Sequence, residues 1–278
     1  MEKNNEACGV ETGDRYLEFK DVFVLYDAED PSRIGNVLPV RVKTNLDIRK
    51  KAAVDFRIDH EFGVEEVETP LWSHYLESMD YEGNHFRKIV SFFMGNMLCH
   101  GGSDVSKALV LCGNSGNNGK SVLMKVITGL LPEEAVTTEA ISDITKTDDV
   151  GALARGRMIS SLLNISTYEG GEPFNSTFKS LISGEQVEVR WRYENSCNEV
   201  LTANLLIDTN VLPVFSGEGL PISCRMRVLP VHKMIKEEDR IPGLAEAILE
   251  SERPGVWRWL IKQTKLCRLG GLGAFLSD

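Results

Sequence analysis

No apolar run in this sequence reaches the length of a membrane-spanning helix, so it offers no helical candidate for membrane insertion. No C-x-x-C pair occurs. None of the six cysteines (Cys8, Cys99, Cys112, Cys197, Cys224 and Cys267) has a histidine at ligand spacing, which argues against structural zinc and reads as reduced thiols. Cys112 and Cys224 lie in apolar, strand-like settings. Positive charge is scarce: 31 Lys and Arg stand against 41 Asp and Glu, a net charge of −10. That excludes a global basic footprint for nucleic acid and leaves only local clusters to make such a contact. Internal repeats and low-complexity segments are missing too. Residues 1–7 lack the basic-then-apolar order of a secretion signal, so the expectation is a loose polar tail on a cytoplasmic protein. At 278 residues, 42% hydrophobic, the chain can hold one large or two modest domains.

Residues 109–121, Leu-Val-Leu-Cys-Gly-Asn-Ser-Gly-Asn-Asn-Gly-Lys-Ser, are the most informative stretch. An apolar strand runs into a glycine and asparagine loop, and Lys-Ser opens a helix. That order builds a phosphate-binding loop. Glycines let backbone N–H groups turn inward, Lys120 brings a mobile positive charge, Ser121 a hydroxyl for Mg²⁺, and the helix N-terminus a positive dipole end. The candidate ATP-binding residues are Gly113, Asn114, Ser115, Gly116, Asn117, Asn118, Gly119, Lys120, Ser121 and Val122. Five residues separate Gly113 from Gly119, one more than the G-x-x-x-x-G-K pattern has. Either the loop carries an extra residue, or Asn114, tolerable in a left-handed conformation, makes its first turn.

Around this motif the patterning predicts β-structure over residues 16–43 and a helix capped by Asn45 or Asp47 that runs to about Phe62. Thr69-Pro70 starts a helix with Leu71, Trp72, Tyr75, Leu76 and Met79 on one face; Phe86, Ile89, Val90, Phe93, Met94 and Met97 form a second apolar face. After a break at Gly101-Gly102-Ser103 come the phosphate-loop strand and its helix to Leu131, then an acidic loop over 137–149. A strand over 157–165, a helix over 173–182, strands over 203–208 and 226–231, and a C-terminal helix interrupted at Pro254-Gly255 follow. The expected organisation is a tail (1–15), a small β/α segment (16–68), a helical unit (69–102) and a nucleotide-binding unit (103–278). Strands alternating with helices after a phosphate loop imply an α/β core with a mainly parallel sheet and a nucleotide at its carboxyl edge.

ATP hydrolysis also requires a carboxylate near Mg²⁺, a polar sensor of the γ-phosphate and often an arginine from a neighbouring subunit. The carboxylate is expected just beyond the 157–165 strand, at Glu169 in preference to Glu172. The sensor is Asn210, in Leu-Leu-Ile-Asp-Thr-Asn-Val-Leu-Pro, and the arginine is Arg225 in preference to Arg227. Residues 186–193 alternate, with Val187, Val189, Trp191 and Tyr193 on one face and Glu188, Arg190 and Arg192 on the other. On that reading the aromatics are core. Lys179, Arg190 and Arg192 form the local basic cluster suited to a nucleic-acid backbone.

These pieces, in this order, resemble superfamily 3 helicases, and more closely the helicase part of phage, plasmid and poxvirus-type primase-helicases. The resemblance covers about residues 70–278. It rests on Asn118-Gly-Lys-Ser121, on Phe178-Lys-Ser-Leu-Ile-Ser-Gly-Glu185 leading into Val-Glu-Val-Arg190, on Asn210-Val-Leu-Pro213, on Arg225-Met-Arg-Val-Leu-Pro230 and on Glu252-Arg-Pro-Gly-Val-Trp-Arg-Trp259. It implies an AAA+-like ATPase with a β-hairpin insertion, preceded by a small helical domain and working as a homo-oligomeric ring, usually a hexamer. ATP and Mg²⁺ would sit between subunits, Arg225 would reach the neighbour's site, and hairpins would draw single-stranded DNA through the pore. The resemblance matches Lys120 and Ser121 to the phosphate and Mg²⁺ residues and Asn210 to the sensor. The family usually ends its second core strand with an acidic residue. A gap-free register puts Tyr168 there and Glu169 one step later, so either the strand end shifts or the hydrolytic carboxylate is missing. No primase segment is expected ahead of the helical unit, so priming would need a partner protein.

Overall fold

The computed structural model describes residues 11, 14–39, 53–63, 65–81, 85–99, 107–113, 117–170, 174–214 and 226–270, with backbone alone for residues 53–55. At its centre lies a five-stranded sheet built from β5 (Ala108–Cys112), β6 (Val136–Thr137), β7 (Leu163–Tyr168), β10 (Asn204–Thr209) and β11 (Met226–Pro230), in the order β11-β5-β10-β7-β6. Every pairing in it is parallel. Central strands buried on both sides need continuous apolar runs, which Ala108–Cys112 and residues 205–207 (Leu-Leu-Ile) supply.

The register fixes which residues share a face. Leu109, Leu111, Leu206, Leu163 and Leu229 pack with Leu123, Val126 and Ile127 of α3 (Lys120–Leu130). Ala108, Val110, Leu205 and Ile207 pack on the opposite face, with Ile141 and Ile144 of α4 (Ile141–Ile144), Ala154 of α5 (Asp149–Arg157) and Phe178 of α6 (Ser176–Ser183). Val187 and Val189 of β8 (Gln186–Val189) close that second layer; β8 pairs antiparallel with β9 (Cys197–Val200) as a separate hairpin.

On the α3 side the core continues into a second sheet, order β3-β2-β1-β4, made of β1 (Arg15–Glu18), β2 (Val22–Asp27), β3 (Val37–Pro39) and β4 (Ala53–Arg57). Helices α1 (Pro70–Met79), α2 (Phe86–Met97), α7 (Leu244–Ser251) and α8 (Arg253–Gly270) join the two sheets. Phe19 meets the fully buried Trp257 of α8 edge-on at 5.3 Å, and Arg258 stacks over Phe62 at 4.4 Å. The buried Glu252 accepts from the backbone N–H groups of Leu71 (2.7 Å) and Trp72 (2.9 Å), capping α1 from far along the chain. Gly95 lets α2 pass against the backbone of α8, where a Cβ would lie 2.6 Å from the Gln263 carbonyl carbon.

Several sequence expectations change. Residues 53–57 are a strand, not the end of a helix from Asp47, because pairing with β1 satisfies their backbone; the cap residues Asn45 and Asp47 lie outside the described residues. The strand expected from Arg157 begins at Leu163, since α5 runs through Arg157. The acidic loop over 137–149 contains a short helix, α4, and is preceded by an edge strand, β6. The alternating strand over 186–193 stops at Val189. Trp191 and Tyr193 are 37% and 97% exposed on the hairpin turn, so they are not core, and Tyr193 adopts a left-handed φ of 66°. Among the described residues no helix is long and apolar enough to cross a membrane.

Candidate nucleotide-binding site

The loop after β5 is seated by its neighbours. The Gly113 N–H donates to the Thr209 carbonyl at 2.9 Å. A Cβ on Gly113 would lie 2.2 Å from the Val231 carbonyl oxygen, so only glycine fits there. Asn118 is buried and donates its side-chain amide to that same carbonyl at 3.2 Å; the Asn117 carbonyl accepts from Ile235 N–H at 3.0 Å. The segment after β11 therefore straps the loop from below. Tyr81 and Ser78, at and just past the end of α1, hold that strap in turn: the Tyr81 hydroxyl accepts from Lys233 N–H at 2.8 Å and the Ser78 carbonyl from Lys233 Nζ at 2.6 Å. Gly119 has φ +83°, and its carbonyl accepts from the buried Tyr75 hydroxyl at 3.1 Å. Burial pushes that phenol's pKa up, which keeps it a proton donor. Asn114, Ser115 and Gly116 lie outside the described residues, and with them the question of which residue makes the first turn.

Lys120 opens α3 and is 6% exposed. Its ammonium ends among acceptors at the carboxyl ends of β5 and β10: Asp208 Oδ1 at 2.6 Å, the Thr209 carbonyl at 3.1 Å, Asn210 Oδ1 at 3.2 Å and the Gly113 carbonyl at 3.5 Å. Two residues predicted far apart in sequence, Lys120 and Asn210, thus meet directly. Ser121 is exposed at the helix N-terminus beside the half-buried Val122. Cys112 sits close enough to feel the ion pair. Burial raises its thiol pKa, Lys120 opposes the shift, and Asp208 adds to it.

Asp208 escaped the sequence reading. Its signal was an acid directly after the apolar run Leu205-Leu206-Ile207, two residues beyond Leu206 and so on the same side of the strand.

Glu169 follows the last residue of β7 and is exposed. It borders a cleft of about 360 Å³ that Thr167, Gly170, Ser142 and Asn175 also line. Tyr168 turns to the other face and meets Phe174 at 4.9 Å. Glu172 and Arg225 lie outside the described residues; Arg227 is half-buried on the edge strand β11. Of the basic cluster, Arg190 is held by Asp149 at 2.6 Å and by the Glu194 carbonyl at 3.1 Å. Arg192 is exposed on the hairpin turn, and Lys179 is half-buried on α6.

The architecture is that of an α/β protein with a parallel sheet whose carboxyl edge gathers the candidate residues. No protein-family model matches the sequence, and no curated protein matches it. Solved structures do share the fold, among them three apo structures of the NrS-1 C-terminal region. They superpose with TM-scores of 0.54, 0.53 and 0.54 at 14%, 10% and 11% identity, and cover 77%, 90% and 90% of this chain. The chain spans about half of the first of them (52%) and 67% and 68% of the other two. At such identities the likeness is one of fold.

Proposed function

We propose that this chain is the nucleotide-binding core of an ATP-driven, ring-forming DNA translocase that serves replication of a mobile element. The observation that carries this reading is the convergence of Lys120 with Asn210 and Asp208 at the carboxyl end of adjacent parallel strands. A polyphosphate at the start of α3 would meet the helix's positive end and the loop's N–H groups, with Lys120 free to leave its protein acceptors for phosphate oxygens. Asn210 is suited to orient the attacking water or the γ-phosphate. Mg²⁺, held by Ser121 and a nearby carboxylate, would neutralise phosphate charge. The strand order β11-β5-β10-β7-β6, with β10 between the loop strand and β7, supports the AAA+-like reading, as does the hairpin β8/β9. The exposed Trp191, Arg192 and Tyr193 at the hairpin turn supply rings and charge together, as a grip on single-stranded DNA requires.

A second reading, an ATP-binding ring subunit with weak hydrolysis, is favoured by one observation. β7 brings no acid to the face that carries Lys120, its residue there being Thr167.

The two readings separate in a steady-state assay with and without single-stranded oligonucleotide. The expected result is turnover that DNA raises severalfold and that Lys120→Ala reduces at least about a hundredfold. Bound ATP with no turnover in the wild type selects the second reading, and no ATP binding rejects both.

A further inference from the structure

The acid missing from β7 has a counterpart one strand away. Leu111, Asp208 and Thr167 form one row across β5, β10 and β7 near the carboxyl edge. That row lies on the face covered by α3, as Leu111 and Leu206 do. β7 contributes a hydroxyl to it and β10 a carboxylate. Asp208 is three-quarters buried. Its Oδ1 is fully shielded and has no hydrogen-bond partner among the described residues other than the ion pair with Lys120 at 2.6 Å. A shielded carboxylate oxygen with a single mobile cation beside it cannot be left bare without a large desolvation penalty.

Nucleotide binding would remove that cation. If Lys120 turns to the phosphates, Asp208 is left facing a polyanion, and the two negative charges repel unless another cation enters between them. We infer that Asp208 is the carboxylate that receives the nucleotide's divalent cation, in place of the acid absent from β7, and that Lys120 neutralises it until the nucleotide arrives. The inference rests on the ATP reading above and names the carboxylate that this reading leaves unassigned. It makes the site selective for the metal–nucleotide complex over the free nucleotide. The hard oxygen donor at Asp208 suits Mg²⁺ or Mn²⁺.

The test is equilibrium binding of a fluorescent ATP analogue, in excess Mg²⁺ and in excess EDTA, to the wild type, Asp208→Asn, Asp208→Cys and Glu169→Gln. The wild type and Glu169→Gln should bind the Mg²⁺ complex at least about tenfold more tightly than the metal-free analogue. In Asp208→Asn that ratio should fall to within about twofold, because metal-bound affinity drops while metal-free affinity rises. In Asp208→Cys, Mg²⁺ should lose its effect and Cd²⁺, a thiolate-seeking ion, should restore it, with wild type in Cd²⁺ as the control for native thiols. A wild-type ratio retained in both Asp208 variants overturns the inference, as does loss of the ratio in Glu169→Gln alone. Should Asp208→Asn not fold, the Cd²⁺ switch decides by itself. Analogue binding that is absent from the wild type under both conditions defeats the ATP reading itself, a distinct outcome.

Discussion

His60 lies half-buried against the edge of Phe19, with ring centroids 5.7 Å apart. Burial, with Arg253 as the next contribution, pushes its pKa down to about 4; Lys20 lowers it further, while Asp59 and Asp21 pull the other way. The folded protein therefore holds the ring neutral where the unfolded chain would protonate it. Stability from this source is complete above pH 6.5, the ordinary histidine value, and is lost as pH falls toward 4. After solvent screening of a half-exposed ring the effect is about 1–2 kcal/mol. Melting curves for wild type and His60→Gln between pH 7 and pH 4 should converge as acid is added; a constant gap would mean that the ring does not titrate this way. None of this could be read from the sequence, where His60 is one of five histidines with no motif around it. Gly113 is the opposite case: its place before a strand-ending loop announced a backbone need, and Val231 pressing on it supplies the reason.

Among the elements, the hairpin β8/β9 depends on a buried arginine. Arg155 of α5, 2% exposed, donates to the carbonyls of Glu188 (2.6 Å), Ile144 (2.9 Å) and Lys146 (2.7 Å). Its planar fork reaches β8 and the end of α4 at once, which a lysine cannot do. Arg155→Ala leaves these carbonyls unpaired and should cost about 3 kcal/mol or more in denaturant unfolding; Arg155→Lys should recover only part. Proteolysis within 190–196 should quicken in both variants. Cleavage at the wild-type rate would show that the hairpin holds without this anchor. The helices α1, α2, α3 and α6 were legible because their apolar spacing is strong. The end of the first hairpin arm at Val189 was not, because a period-two pattern carries no mark of where pairing stops.

At the scale of the whole molecule, the two sheets and the four helices between them share one continuous core from Tyr16 to Ile261. Among the exposed apolar residues are the strip Val211, Leu212 and Val214 beside Asn210, and Val228 on the edge strand β11. A ring would bring a neighbour to such an edge. With a non-hydrolysable ATP analogue and an oligonucleotide, native mass measurement should give a multiple of the 31.0 kDa chain, and Arg225→Ala should leave assembly intact while suppressing turnover at least about tenfold. A particle that stays at 31.0 kDa under those conditions would remove the inter-subunit role given to Arg225.

The sequence by itself determined the alternation of strands and helices, the glycine–lysine–serine loop and the asparagine at a strand tip, since each depends on local periodicity or on backbone demands that neighbouring residues express. Tertiary structure alone decided the strand order that brings Lys120 to Asp208 and Asn210, the capping of α1 by Glu252 and the turn that exposes Trp191 and Tyr193. These depend on long-range packing and on electrostatic partners that are distant along the chain. The local pattern does not say which distant carboxylate will face the lysine.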